Sequence, residues 1–470
     1  LNGASGVVTF SNSTVNKDFA VVVGVIDQQI TIVDITTPSN LVAVDSYGDD
    51  SRAVDGQIIE PRNIAIFKNH SNAEDHINPV LCHGGGCEYV ALVTNQDTLS
   101  AYNLTDPEDQ IYFLSNYTSF AGGAKINNVL FGDGAGNKQI AGTGFWDVAT
   151  WVNVTTGDTY AAVSNYETDS VTFFNLQNPS EITATSNITK GADGRSAAAI
   201  NIDSPDIELD GAAGLDTFYV HNDGTGIAET PYLIVTAALD DGFQILNLSD
   251  PDHTPGDGAK MGYTASEGGV VVAGTHTNAT DGADGFEVLN GAIDVAVWNT
   301  TKNNHYGIII AQVDSAFTII DLTDPTQPAF QKQLFNTTFS NGNWWNVTTP
   351  STVEVFTIEN RPYAVIGTNG TSSSVSIIDL YEPANPQPVT GIIYDDMPSD
   401  NPSDFDNLAG IEGLSYIQIG SDHYLATTSY EDDGLTLIKM TGDRPSSGGA
   451  SKICGFNYDC AAPSISINDD

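Results

Sequence analysis

Carboxylates are the side chains whose number and placement could do chemistry in this chain. Asp147, Asp216, Asp294, Glu354 and Glu412, with Asn63 as an amide counterpart, stand at or near matching offsets before an aromatic residue that opens an apolar run. A second set, Asp27, Asp97, Asp169, Asp241, Asp314 and Asp433, follows those runs. Carboxylates brought to one mouth repel each other, and a hard cation such as calcium would relieve them. The first set is therefore the candidate metal site. The competing expectation is structural: each carboxylate accepts hydrogen bonds from backbone N–H groups of a neighbouring unit and needs no ligand. No loop has the D-x-D-x-DG spacing of a calcium loop, and acids this abundant make a weak glycosidase signal.

Other reactive groupings are sparse. The eight histidines are scattered, without HExxH, and no GxSxG with placed partners occurs. The stretch GDGAG around Asp133 does not lie between a strand and a helix, so a phosphate loop is not expected. No catalytic residue stands out. The four cysteines form two local pairs, Cys82 with Cys87 and Cys454 with Cys460, spaced as disulfide staples of an oxidising compartment rather than as a zinc site. N-x-S/T sequons occur at Asn12, Asn69, Asn103, Asn116, Asn153, Asn187, Asn247, Asn278, Asn299, Asn336, Asn346 and Asn369, against about seven expected by chance. Asn103 and Asn247 also occupy a place where related segments carry Asp. Cysteine pairs and sequons together favour a secreted glycoprotein.

What must position these groups is a repeat. An apolar run, an Asp or Asn, an apolar residue and a proline turn recur seven times, ending at Pro38, Pro107, Pro179, Pro251, Pro325, Pro383 and, degraded, Pro445. The spacing is 58 to 74 residues, which must be read as an architecture before any motif. Upstream of each turn lies an apolar run opened by an aromatic: Phe19, Tyr89, Tyr160, Tyr232, Tyr306, Tyr363 and Tyr424. Runs apolar at nearly every position and rich in Val and Ile suit strands buried on both faces. A further strand precedes each, as in GVVTF from Gly6 and DVAVW from Asp294, and a fourth follows the turn, as in LVAVDSY and AFQKQLF. No stretch holds a helical period.

Four antiparallel strands per repeat and seven repeats predict an all-β seven-bladed propeller over residues 1–445, with a short disulfide-stapled tail over 446–470. A β-helix or sandwich array would need shorter repeats or strands with one polar face. Strand alternation places the proline turns on one face. The long insertions, Ala121–Gly144, Lys190–Leu215, Asp252–Ala292, Asn336–Pro350 and the acidic run from Asp395, fall on the other, beside both sets of acids. By the same assignment Asn12, Asn153 and Asn299 project on the proline-turn side, and Asn278, Asn336, Asn346 and Asn369 on the insertion side.

The turn, clearest in TIIDLTDP, SIIDLYEP and TIVDITTP, resembles that of the LVIVD-repeat family of β-propeller proteins. The resemblance implies the propeller and a surface or secreted location, but no common activity, so it carries over no catalytic residue. The seventh copy departs from it, with Lys439, Met440 and Gly442 in place of Asp, Leu and Asp.

Sixty acids against 15 bases give a net charge of −45, which excludes phosphate-backbone binding as a main activity. It suits a solvated surface or work in salt or divalent cations. The longest apolar runs are too short to span a bilayer, and with no basic n-region the chain reads as a processed product. The functional expectation is an extracellular, non-enzymatic glycoprotein, a structural or adhesive subunit of a surface filament, layer or matrix. Its alternative is a calcium-dependent hydrolase of the lactonase or phytase kind. Blade seven lacks an apolar strand directly after Pro445. PSISI at Pro463–Ile467 must therefore finish its own blade or cross to a neighbouring copy, which would give a homopolymer.

Overall fold

In the computed structural model, the residues described are 1–48, 58, 60–69, 88–95, 98–108, 111–118, 144–154, 156–189, 209–221, 229–249, 271–277, 286, 288–300, 304–335, 337–338, 344–369, 373–389, 393–394, 408–441, 457–459 and 464–466. They form seven antiparallel sheets around an axis, five of four successive strands and two in which the outer position is filled by two short strands, plus one two-stranded hairpin, and contain no helix. The innermost strands are Ala4–Asn12, Ile64–Lys68, Phe145–Val152, Ala212–His221, Ala292–Asn299, Pro350–Ile358 and Ile411–Ile419.

The second strand of each blade is apolar because sheets cover both its faces. Tyr89–Thr94 and Thr159–Asn165 are buried at every position, whereas the outer strand Ala329–Phe335 has no buried residue. The aromatic that opens the second strand has a partner directly across on the innermost strand. Phe10–Phe19, Trp151–Tyr160, Phe218–Tyr232 and Trp298–Tyr306 stack at 5.5 Å between centroids, and Phe356–Tyr363 at 5.8 Å. Such cross-strand pairs set register.

The Asp or Asn before each proline turn folds its side chain back onto the amide two residues on. Asp34, Asn103, Asn175, Asn247, Asp321 and Asp379 accept from Thr36, Thr105, Gln177, Ser249, Thr323 and Tyr381 at 2.9 to 3.0 Å. This Asx turn uses one oxygen, which both residue types supply, so they interchange in the repeat. In blade seven Lys439 replaces the acid and pairs instead with Asp422 at 2.9 Å.

Between each pair of neighbouring blades lies one buried apolar cluster, and the seven clusters complete the circle. The closing cluster packs Val7, Val22, Val33 and Ile35 of blade one against Tyr424, Ala426, Leu435 and Leu437 of blade seven.

Several details differ from the sequence expectation. Innermost strands begin up to four residues earlier than their acids suggest, as in Ala212–His221 and Pro350–Ile358. The outer strand of blade four, Val271–Thr277, which pairs with Gly242–Asn247, lies inside the stretch read as an insertion. Blade six has its outer strand in two pieces, Gln387–Pro388 and Ile393–Tyr394. Of the two expectations for blade seven, the strands follow the one in which PSISI folds back onto its own blade: Asn457–Asp459 and Ser464–Ser466 both pair with Gly434–Thr441. Cys82, Cys87, Cys454 and Cys460 lie outside the described residues, as do Asp97, Asn278 and Asn336.

Candidate functional site at the axial mouth

A left-handed residue directly precedes six of the innermost strands and stands four residues before the seventh, Ile64–Lys68. Gly3, Gly211, Gly291 and Gly410 have φ of 68 to 71°, Gly144 has 113°, and Glu60 and Thr349 take the place at 48°. Four of the glycines sit in a shared phrase, LNGA at 1–4, LDGA at 209–212, LNGA at 289–292 and LAGI at 408–411. Glycine enters this backbone region without the Cβ penalty, and the strand then bulges before regular pairing resumes.

Counted from that residue, the axial acids fall into two tiers. Three residues on stand Asn63, Asp147 and Asp294, with Gly6, Gly214, Thr352 and Gly413 in the other blades. Five residues on stand Asp216, Glu354 and Ser415. The tiers alternate from blade three to blade six, so no two adjacent blades in that arc carry acids at the same height. Glu412 belongs to neither tier. It is exposed and accepts from Asn369 Nδ2 at 3.1 Å.

Asp147, Asp216 and Asp294 each bind their own strand and the next blade, and Glu354 binds the next blade. In the upper tier, Asp147 Oδ1 accepts from Val148 N–H at 2.7 Å and from Asn63 Nδ2 at 2.5 Å, and its Oδ2 accepts from Leu215 N–H of blade four at 2.7 Å. Asp294 accepts from Val295 N–H and from Val353 N–H of blade six, both at 2.8 Å. In the lower tier, Asp216 accepts from Thr217 N–H at 2.6 Å and Val297 N–H at 2.7 Å, and Glu354 accepts from Tyr416 N–H. Ser415 Oγ takes Thr9 N–H at 3.0 Å across the closure, and Ser5 Oγ donates to the Arg62 carbonyl at 2.9 Å between blades one and two. All seven seams are thus bridged beside the axis.

The second set of acids works in the same way. Asp169, Asp241 and Asp433 are themselves left-handed, and each caps the glycine amide that starts the next blade: Gly211 at 2.9 Å, Gly291 at 3.0 Å and Gly3 at 2.7 Å. The residue before them holds its own blade, with Asp240 accepting from Asp210 N–H and Asp432 from Ala409 N–H, both at 2.7 Å. Asp27 and Asp314 do likewise for Asn2 and Asn290, at 2.6 and 3.0 Å.

Burial pushes the tier acids up from the ordinary carboxylate range, Asp216 to about 7 and Glu354 to about 8, against the lowering effect of their N–H partners. Repulsion adds to this: Asp147 raises Asp216 and Asp294, while Asp216 and Asp294 raise Glu354. Asp147 and Asp294 shift upward for the same first cause, burial. Asp216, Asp294 and Glu354 are half-buried. Near Glu412 the Arg62 guanidinium lies 4.9 Å above the Trp146 ring.

Among the described residues no three His, Cys, Asp or Glu side chains are grouped to hold a metal ion. The five sequence candidates stand on the innermost strands at different heights, four of them oriented to backbone amides and Glu412 to the Asn369 side chain. The glycine phrase and the paired turn acids, DD at 240–241 and 432–433, are the signals that locate these bonds.

Residues 14–49 match the family model described as the LVIVD repeat. No curated protein matches the chain. Among solved structures the fold is similar to the periplasmic gluconolactonase PpgL of Pseudomonas aeruginosa, at 9% identity over 93% of this chain and 92% of that one, with a TM-score of 0.52. It is also similar to BBS1N, solved in complex with ARL6DN, at 9% identity over 96% of each chain and a TM-score of 0.50. Raptor of Chaetomium thermophilum gives 10% identity over 95% of this chain but 28% of that one, with a TM-score of 0.50. At these identities the likeness is one of fold. No helix among the described residues is long and apolar enough to cross a membrane.

Proposed function

For this LVIVD-repeat propeller we propose a non-enzymatic role: an extracellular glycoprotein that serves as a structural or adhesive subunit of a surface filament, layer or matrix. The observation that carries it is the use of the axial acids. Asp147, Asp216, Asp294 and Glu354 each spend an oxygen on an amide of the next blade, which makes the mouth a fastening rather than a set of free acids and bases. Sequons and a net charge of −45 support a solvated, glycan-bearing exterior. Calcium-dependent hydrolysis at the mouth is the second reading, supported by the upward-shifted, mutually repelling carboxylates, since fold alone does not assign an activity.

Electron microscopy of native material tests the role: fibres or lattices are expected, whereas single rings with calcium-dependent lactone or phosphoester hydrolysis would replace it. A chain ended at Pro445 loses both segments that finish blade seven. It is expected to fold but not to assemble normally, because the exposed edge is left unpaired.

A further inference from the structure

We infer that six of the described sequons divide into two classes: Asn116 and Asn299 carry N-linked glycans, and Asn12, Asn103, Asn153 and Asn346 do not. This rests on the glycoprotein reading above and adds where the sugar sits. In the transfer, the amide nitrogen bonds to the anomeric carbon of a diphosphate-activated sugar, the diphosphate leaves with the bonding pair, and one amide proton is lost. The product keeps a single N–H and must find room for a sugar ring beside it, even when the transfer precedes folding.

Four sites lack that room. Asn12 is 1% exposed, donates from Nδ2 to the Thr105 carbonyl at 2.9 Å across the first seam, and accepts from Thr14 N–H at 2.9 Å. Asn346 is 6% exposed, with Nδ2 on Ser374 Oγ and Oδ1 on Thr348 N–H, both at 3.0 Å. Asn103 and Asn153 are 5% and 7% exposed, their Oδ1 atoms capping Thr105 and Thr156 amides. At each the sequon coincides with an amide side chain used as a turn cap, and a sugar would have to displace the packing around it.

Two sites have it. Asn116 is exposed on the outer strand of blade two, between the inward-facing Leu114 and Tyr117. Asn299 is exposed at the end of its innermost strand, on the proline-turn side. Its Oδ1 meets Nδ1 of the buried His305 at 2.5 Å. An amide oxygen only accepts, so the ring carries a proton on Nδ1 and donates it. That bond engages Oδ1 and leaves Nδ2 outside it.

The test is peptide mapping by mass spectrometry of the native protein after enzymatic removal of N-glycans in ¹⁸O-water, which marks every formerly glycosylated asparagine. Label at Asn116 and Asn299 and at none of the four buried sites is expected. Label at any of Asn12, Asn103, Asn153 or Asn346, or at neither exposed site, overturns the division. Label confined to other sequons overturns the division alone, while no label anywhere overturns the glycoprotein reading with it. As a second readout, N116Q should lose one glycan in mass with Tm unchanged, N299Q should lose one glycan in mass, and N12Q should lose no mass but melt earlier. A glycan-sized mass loss on N12Q would contradict the division independently.

Discussion

Replacing Gly413 with alanine should open the ring at its closing seam. A Cβ at this position would lie 2.4 Å from the Ser5 carbonyl oxygen, 2.6 Å from Thr428 Oγ1 and 3.0 Å from Val7 N. Two of these atoms are backbone of blade one, so relief requires blade one to retreat by about 1 Å to reach ordinary contact. Overpacking of this kind costs about 1–3 kcal/mol. The retreat also stretches the bonds that cross the seam, Asp433 to Gly3 N–H at 2.7 Å and Ser415 to Thr9 N–H at 3.0 Å, each contributing about 0.5–1.5 kcal/mol. The sum is a loss of roughly 2–6 kcal/mol, read as a fall in the urea midpoint at constant m-value. Gly157→Ala is the control: nothing lies within 4 Å of its Cβ, and φ is 79°, so only the left-handed backbone costs, at about 1 kcal/mol. If Gly413→Ala costs no more than Gly157→Ala, the seam is not close-packed as described and the reasoning fails.

Stability should also fall as pH rises. Asp216 and Glu354 have folded-state pKa values raised to about 7 and about 8, so the folded ring keeps protons that the unfolded chain releases near pH ~4. Their contribution is complete below that value and is lost as pH passes through 7 to 8. Urea midpoints should decline from about pH 5 to pH 9, and Asp216→Asn with Glu354→Gln should flatten the decline; a midpoint that rises over this interval would contradict the assignment. Calcium and chelator should leave the melting temperature alike, because the tier acids already hold backbone amides; a rise of several degrees with calcium would restore the mouth as a cation site.

Much of the propeller was legible because its causes are local. A strand covered on both faces must be apolar throughout, and an Asx turn must carry Asp or Asn two residues before the amide it caps, so Phe19–Val23 and the run ending at Asp321 announce themselves. The outer strand of blade four was missed because Val271–Thr277 does not follow its turn at Pro251 directly, and neighbours in sequence had been taken as neighbours in the sheet. The axial acids were legible as a set but not as a device. Their meaning lies in bonds such as Asp147 to Leu215 and Asp433 to Gly3, which join residues 68 and 430 positions apart, and no local pattern records such a pairing. Their apparent equivalence was also misleading: a two-residue offset separates Asp294 from Asp216 in height. The phrase L-x-G-A was the missed local clue, since a glycine at the same place in several repeats asks for a left-handed strand start.

The central claim, that the axial carboxylates fasten blades rather than await a ligand, is tested most directly by the stability of Asp294→Ala. Asp294 serves Val295 N–H and Val353 N–H, both at 2.8 Å. Removing it leaves two amides beside the axis without that acceptor, a loss of about 2–4 kcal/mol in urea unfolding. A carboxylate held against its neighbours for a ligand behaves oppositely: its removal relieves repulsion and stabilises the free protein. A clear destabilisation, equal with and without calcium, is the predicted result; unchanged or increased stability would contradict the account.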